Sequence, residues 1–117
     1  MLMSKRIKQG NVSPVWRVAV QTFDADGVAI VGSFEDLSAN YTCTVAVTTA
    51  IPPLERVVTR LSTDNKRFLV QLTAAETDTM AIGNHKVAIE VENTVVIPPF
   101  RVEAHEELVI DCEYITA

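Results

Sequence analysis

The side chains of this 117-residue chain that could support catalysis are few and far apart. His85 could act as a general base, because an imidazole changes charge near neutral pH. Catalysis would also need a nucleophile beside that base, paired carboxylates in a cleft, or a set of metal ligands at suitable spacing. The sequence shows no such combination, so we expect no catalytic residues and no enzymatic activity.

A second group of candidates lies in the acidic segment "RVEAHEE". Glu103 and His105 would project from the same face of an extended strand, and pairs at this spacing can bind metals. Two ligands do not complete a site, and Glu106 and Glu107 next to them are typical of a solvated strand end or loop. We therefore expect no metal and no cofactor.

Two aspartates and two cysteines complete the candidates. Asp24 and Asp26 in "DADG" lack the further spaced oxygen ligands of a calcium loop, and they predict a turn. Cys43 and Cys112 both fall on apolar faces of predicted strands, where burial makes a thiol inert. A disulfide between them would require their two strands to lie close together.

Composition limits the classes of protein and partner. With 48% hydrophobic and 21% charged residues, we expect one folded domain over residues 1–117. A net charge of −5 argues against nucleic acid, and the densest basic run, Lys5, Arg6 and Lys8, predicts a solvated terminal strand. The sequence shows no apolar run of roughly 20 residues and no secretory signal, so we expect synthesis in a cytoplasm and no membrane partner.

Alternating apolar residues predict about seven to eight short strands, and their turns predict antiparallel pairing. The pattern predicts one strand over 15–23 with Trp16 facing inward, a hairpin at "DADG", and a second hairpin at "STDNK". It also predicts a tight turn at Glu92–Asn93, a strand at Val95 and Ile97, and a closing strand over 108–114. We expect an all-β antiparallel sandwich, with the proline pairs Pro52–Pro53 and Pro98–Pro99 interrupting the ladders.

One helical turn interrupts the β pattern near residues 73–82. Thr73 can cap its first N–H groups while Glu76 returns a bond to the Thr73 N–H, forming a capping box. Gly83 can provide the left-handed exit. So short a helix needs neighbouring strands to hold it, and Met80 and Ile82 are the expected anchors.

The stretch "LTAAETDTMAIGNHKVAIEVE" resembles a segment found in small β-sandwich domains of tailed-phage and prophage virion proteins, including N-terminal domains of baseplate upper proteins. There it joins two strands of an immunoglobulin-like sandwich. The chain departs from that pattern at His85 and Ala88, where aromatic residues are common, and at Met80, which replaces a leucine. The resemblance implies an immunoglobulin-like β-sandwich.

The same stretch resembles the connection before the sixth strand of immunoglobulin domains, where a tyrosine bonds the backbone to form a corner. His85 stands at the matching position, so we expect it to make a structural hydrogen bond. The inter-sheet cysteine pair is missing, because Val18 and Val87 occupy the matching positions. The resemblance is therefore to the fold and not to antibody domains.

We accordingly expect a non-enzymatic virion structural protein of a phage or prophage tail or baseplate, present in the virion and in the host cytoplasm during assembly. Its partners would be other virion proteins and further copies of itself, through protein–protein contacts at sheet edges. The alternative is a carbohydrate-binding or adhesive immunoglobulin-like module. An aromatic content of 6% weakens that alternative, because sugar sites usually display several exposed rings.

Overall fold

A computed structural model describes residues 5–93, 95 and 100–111, and these segments are mostly β-strand. No helix within them is long and apolar enough to cross a membrane. Their elements, in chain order, are β1 Lys5–Lys8, β2 Trp16–Val18, β3 Gln21–Phe23, β4 Ala29–Phe34, β5 Tyr41–Val47, β6 Leu54–Val58, β7 Phe68–Val70, α1 Ala74–Asp78, β8 Gly83–Asn93 and β9 Phe100–Asp111.

The largest unit is a five-stranded sheet in the order β1-β9-β8-β5-β6. Its centre is antiparallel, as the alternating patterns predict: β8 pairs with β9 on one side and β5 on the other, and β6 pairs with β5. The expectation of purely antiparallel pairing is wrong at one edge, where β1 runs parallel to β9. Parallel neighbours need a long connection, and here nearly the whole chain lies between the two strands.

Four further strands form two separate pairs, β2 with β7 and β3 with β4. The run 15–23, predicted as one strand, divides after Val18: Trp16–Val18 pairs with β7, and Gln21–Phe23 pairs with β4. Between the halves, the Val20 carbonyl accepts a hydrogen bond from the Glu35 N–H at 2.8 Å. The apolar alternation continues through the break, so periodicity does not reveal the change of partner.

The predicted "STDNK" hairpin is present only at its turn. The Ser62 N–H donates to the Arg67 carbonyl at 2.9 Å, and Asn65 adopts a positive φ of 61°. Beyond a single bridge between Leu61 and Phe68, the two arms separate. The first arm continues back into β6 of the five-stranded sheet, and the second becomes β7, so this turn connects two sheets.

The tight turn predicted at Glu92–Asn93 is wrong. Both residues continue β8 and pair with Arg101 and Phe100 of β9, because the ladder extends to the end of an eleven-residue strand. Val95 is exposed, and no strand is assigned there. Ile97 and the proline pair Pro98–Pro99 lie outside the described residues. The predicted closing strand is confirmed as β9 up to Asp111, and its continuation lies outside them.

The hydrophobic core joins the five-stranded sheet to the β2–β7 pair. Its fully buried members alternate along the strands, as one face of a sheet requires. No core residue comes from residues 21–34, so the β3–β4 hairpin lies outside the core. Among the described residues, the core members are Trp16, Val20, Leu37, Cys43, Val45, Val47, Ala50, Val58, Phe68, Val70, Leu72, Met80, Val87, Ile89, Val91, Leu108 and Ile110.

The helical insert is confirmed, with two corrections. Thr73 Oγ1 accepts from the Glu76 N–H at 3.1 Å, and the Thr73 N–H donates to Glu76 Oε1 at 2.8 Å. Met80 is fully buried, but Ile82 is 60% exposed and anchors nothing. The helix ends at Thr79 in right-handed geometry, so Gly83 opens β8 instead of ending the helix.

Candidate functional site

His85 is a buried structural residue. Its Nε2 lies 2.6 Å from the Ala81 carbonyl oxygen, and its Nδ1 lies 2.5 Å from Thr49 Oγ1. Because a carbonyl only accepts, Nε2 carries a proton and donates it. The expected backbone hydrogen bond is therefore confirmed. Both ring nitrogens are engaged and the side chain is 5% exposed, so no nitrogen is free to act on a substrate.

Glu103 and His105 lie side by side on the outer face of β9, as the spacing predicts. Glu103 Oε1 is 3.2 Å from His105 Nε2, and both side chains are about half exposed. Arg101, on the same face, pairs with Glu92 at 3.2 Å and with Glu90 at 3.6 Å. Among the described residues, no group of three or more histidine, cysteine or acidic side chains is placed to hold a metal ion.

Asp24 and Asp26 form the predicted turn. Asp24 Oδ1 accepts the backbone N–H groups of Asp26 at 2.9 Å and Val28 at 3.0 Å. The Gly27 N–H donates to the Asp24 carbonyl at 3.0 Å, and Gly27 has a φ of +79°, which favours glycine. The Asp24 carboxylate thus closes the β3–β4 hairpin.

Cys43 lies on the core face of β5, as predicted, with no exposed surface. Burial raises the pKa of its thiol to about 11, so the reactive thiolate is scarce at neutral pH. Cys112 lies outside the described residues, so its distance from Cys43 stays an open prediction. The basic run at the start of the chain is confirmed as a strand: it forms β1, paired with β9.

A shallow depression beside β2 combines two guanidinium groups with a carboxylate. The Ser62 hydroxyl donates to Asp64 Oδ1 at 2.6 Å, and this bond lowers the pKa of the Asp64 carboxyl. An anionic ligand would therefore meet a negative charge in the same depression, so we assign no anion site there. The lining residues are Arg17, Ser62, Thr63, Asp64 and Arg67.

Four exposed apolar side chains lie in the β3–β4 hairpin. Phe23 is 52% exposed, Val28 59%, Ile30 41% and Val31 96%. We call these four residues the hairpin surface. No charged residue occurs from Val28 to Phe34. Contiguous exposed apolar patches are typical of protein-interaction sites, whereas single exposed apolar residues have no such meaning.

The ladder between β3 and β4 is irregular where Val31 lies. Gln21 pairs with Phe34 and Phe23 with Ala29, so two steps along β3 face five steps along β4. The additional residues of β4 form a bulge, where Gly32 adopts a φ of +76°. Val31 is one of these additional residues, and its side chain is 96% exposed. The sequence predicts this hairpin but does not reveal its exposure.

Comparisons of the chain with protein-family models, with curated proteins and with solved structures find no match.

Proposed function

We propose that this protein is a non-enzymatic assembly domain that binds other protein chains through the hairpin surface. The observation on which the proposal rests is the 96% exposure of Val31 together with three exposed apolar neighbours in one hairpin. Leaving such side chains in water has a free-energy cost that burial in an interface removes, at roughly 25 cal/mol per Å² of apolar surface. A protein partner would cover them.

We further propose an immunoglobulin-like sandwich as the fold, with the five-stranded sheet as one layer and the β2–β7 and β3–β4 pairs as the other. The shared core between the five-stranded sheet and β2–β7 supports two facing layers. The bond from His85 to the Ala81 carbonyl supports a corner of the immunoglobulin type.

We propose that the protein is a tail or baseplate component of a phage or prophage particle. This setting is supported by the resemblance of residues 72–92 to virion domains. Those residues include the helical insert and most of the following strand β8. The protein would then occur in the virion, and in the host cytoplasm during assembly. Its partners would be virion proteins, including further copies of itself.

Binding of carbohydrate has less support. Sugar rings stack on exposed aromatic faces, and Phe23 is the only aromatic side chain among the described residues that is exposed. Trp16 and Phe68 are buried, and Phe34 lies beneath the Arg67 guanidinium, 5.4 Å from its ring centre. A glycan array tests this alternative directly, since reproducible binding that is lost in Phe23→Ala would favour it.

The test of assembly compares Val31→Asp with Val57→Asp, a matched change at another exposed valine, 56% exposed on the five-stranded sheet. Each variant is co-expressed with the products of the neighbouring genes, and complexes are measured by mass. We expect Val31→Asp to weaken a defined complex at least tenfold, roughly the effect of removing one central apolar contact. Val57→Asp should retain the complex.

One result would overturn the assembly proposal, and another would overturn its setting. One is a complex that forms equally well with Val31→Asp and the unaltered chain. The other is a genomic neighbourhood without tail, tape-measure or capsid genes, which would remove the particle setting while leaving the hairpin surface to be tested with other partners.

A further inference from the structure

The shallow depression beside β2 has a volume of about 830 Å³, which is within the range of small-molecule sites. Arg17 lines it from β2, where it is exposed, and Arg67 lines it from the position before β7. Because Arg17 pairs with Leu69, Arg67 lies near the diagonal position of the ladder, roughly 7–8 Å away. Both long side chains can therefore reach the same ligand.

Neither guanidinium group bonds an acceptor among the described residues. Arg17 makes no hydrogen bond or ion pair in that part of the chain. The Arg67 guanidinium lies over the Phe34 ring, 5.4 Å from its centre, and this contact provides no oxygen acceptor. Two neighbouring positive charges without an acceptor favour an anionic group between them, and a carboxylate or phosphate can accept N–H groups from both.

Asp64 adds one negative charge to the same depression. Its Oδ1 accepts hydrogen bonds from the Ser62 hydroxyl at 2.6 Å and from the Lys66 N–H at 3.1 Å. These bonds hold the pKa of Asp64 below its ordinary value of 3.8, so the carboxylate is charged at neutral pH. A ligand that is only negative is repelled by this charge, whereas a ligand that also carries an ammonium group is attracted to it.

We propose that the depression binds a small zwitterion, whose carboxylate or phosphate contacts Arg17 and Arg67 and whose ammonium group contacts Asp64. The protein presents positive and negative charges side by side, and such a ligand presents their opposites. Each half of the ligand answers a charge that the other half leaves unpaired. The proposal uses none of the four residues of the hairpin surface, so it is independent of the proposed assembly function.

The turn that carries Asp64 is fixed before a ligand arrives. The Ser62 N–H donates to the Arg67 carbonyl at 2.9 Å, and the Arg67 N–H donates to Ser62 Oγ at 3.1 Å. The Asn65 N–H donates to the Ser62 carbonyl at 2.9 Å. These bonds hold the backbone of Asp64 and Arg67 at a constant spacing, and groups that are already positioned lose less entropy on binding.

The expected affinity is low. The depression is shallow, so water competes for the charged groups, and exposed ion pairs contribute little each. We expect a Kd of about millimolar, which should rise with salt concentration because salt screens the charges.

The experiment titrates the isotope-labelled chain and follows its amide resonances by nuclear magnetic resonance. The probes are β-alanine, which joins a carboxylate to an ammonium group, O-phosphoethanolamine, which joins a phosphate to one, and vesicles of phosphatidylethanolamine. Acetate and inorganic phosphate carry the anionic half alone. We expect saturable shifts of residues 62–67 with a zwitterion, at an affinity at least tenfold higher than that of the matching simple anion.

Arg17→Gln is the sharpest variant, because Arg17 has no hydrogen bond or ion pair in the described structure to lose. It should weaken binding at least tenfold. Arg60→Gln makes the same charge change at an exposed arginine outside the depression and should bind like the unaltered chain. Asp64→Asn should act in opposite directions on the two kinds of ligand. It should weaken binding of the zwitterion, because the ammonium group loses its partner, and strengthen binding of acetate or phosphate, because the repulsion is removed.

The three probes also distinguish the sources of the ligand. A response to β-alanine alone identifies a carboxylate zwitterion, a response to O-phosphoethanolamine a phosphate zwitterion, and a response to vesicles alone a lipid headgroup. The inference would be overturned if none of the three gave a saturable response, or if acetate or phosphate bound as tightly as the zwitterion. Binding that was unchanged in Arg17→Gln, or that Asp64→Asn altered in the same direction for both kinds of ligand, would also overturn it.

Discussion

The two histidines of the chain show how surroundings decide what a side chain does. His85 is 5% exposed and bonds Thr49 and the Ala81 carbonyl, which ties the start of β8 to the loop after β5 and to the segment that follows the helix. His105 is 43% exposed, and its Nε2 lies 3.2 Å from Glu103 Oε1. The first histidine is a part of the packing, and the second lies at the surface.

Replacing His85 by alanine should therefore lower stability strongly. The change leaves the Thr49 hydroxyl and the Ala81 carbonyl without their partner and opens a cavity, so we expect a loss of about 2–4 kcal/mol in the free energy of unfolding. Urea denaturation measures it. His105→Ala is the matched control and should change the same quantity by less than about 0.5 kcal/mol. A stable His85→Ala protein that lost a binding activity would show that His85 has a functional role.

At the scale of the elements, Glu76 connects the helix to the sheet. It completes the capping box with Thr73 and also binds Arg56 of β6 at 2.5 Å, while Arg56 donates to the Gln71 carbonyl at 2.7 Å. Burial acts to raise the pKa of Glu76, but the hydrogen bonds from Arg56 and the Thr73 N–H outweigh it and hold the pKa below its ordinary value of 4.5. A five-residue helix too short to be stable alone is thereby fixed to β6.

This linkage predicts a pH dependence. Since the folded pKa of Glu76 is lowered, its contribution to stability is complete above about pH 4.5 and is lost as the pH falls through the lower folded value. Glu76→Gln should cost about 1–2 kcal/mol at neutral pH, and the difference from the unaltered chain should shrink in acid. Chemical denaturation at a series of pH values measures it, with Glu55→Gln as the control at an exposed neighbouring position. A difference that stayed constant down to acid pH would contradict the linkage.

Local signals predicted the elements that depend on local chemistry. The capping box at Thr73, the Asp24 turn and the position of Cys43 on an apolar strand face each involve residues close in sequence, and all three are confirmed. The partner of each strand depends on contacts between distant residues. For this reason the run 15–23 reads as one strand although its halves join different sheets, and the "STDNK" arms read as one hairpin although they separate.

The candidate surfaces were hidden from the sequence for the same physical reason. An apolar run such as "VAIV" has the same pattern whether its side chains enter a core or face water. Only the structure shows that Val31 lies outside the core. Its side chain is 96% exposed, in a part of the hairpin where two residue steps along β3 face five along β4. Likewise, "RVEAHEE" predicts a shared face for Glu103 and His105, but it does not reveal that β9 pairs with β1 from Leu108 to Asp111.

At the scale of the whole molecule, stability is distributed unevenly. One core joins the five-stranded sheet to the β2–β7 pair, whereas residues 21–34 provide no core residue. Opening the β3–β4 hairpin therefore exposes little buried apolar surface and should require a smaller free energy than opening β5 or β8. In the proposed assembly, the hairpin surface would adjust to a partner while the rest of the fold stays intact.

This distribution predicts one cooperative transition preceded by local opening. Trp16 is the only tryptophan of the chain, lies on β2 and is 5% exposed, so its fluorescence reports the β2–β7 side of the core. Far-UV circular dichroism reports mostly the five-stranded sheet. Because both sides share one core, the two signals should give the same denaturation midpoint.

Amide exchange should be fastest along β3 and β4 and slowest in β5 and β8 under native conditions. Separate midpoints for fluorescence and circular dichroism would show instead that the two sides unfold independently, and equal protection of β4 and β5 would contradict a hairpin held outside the core.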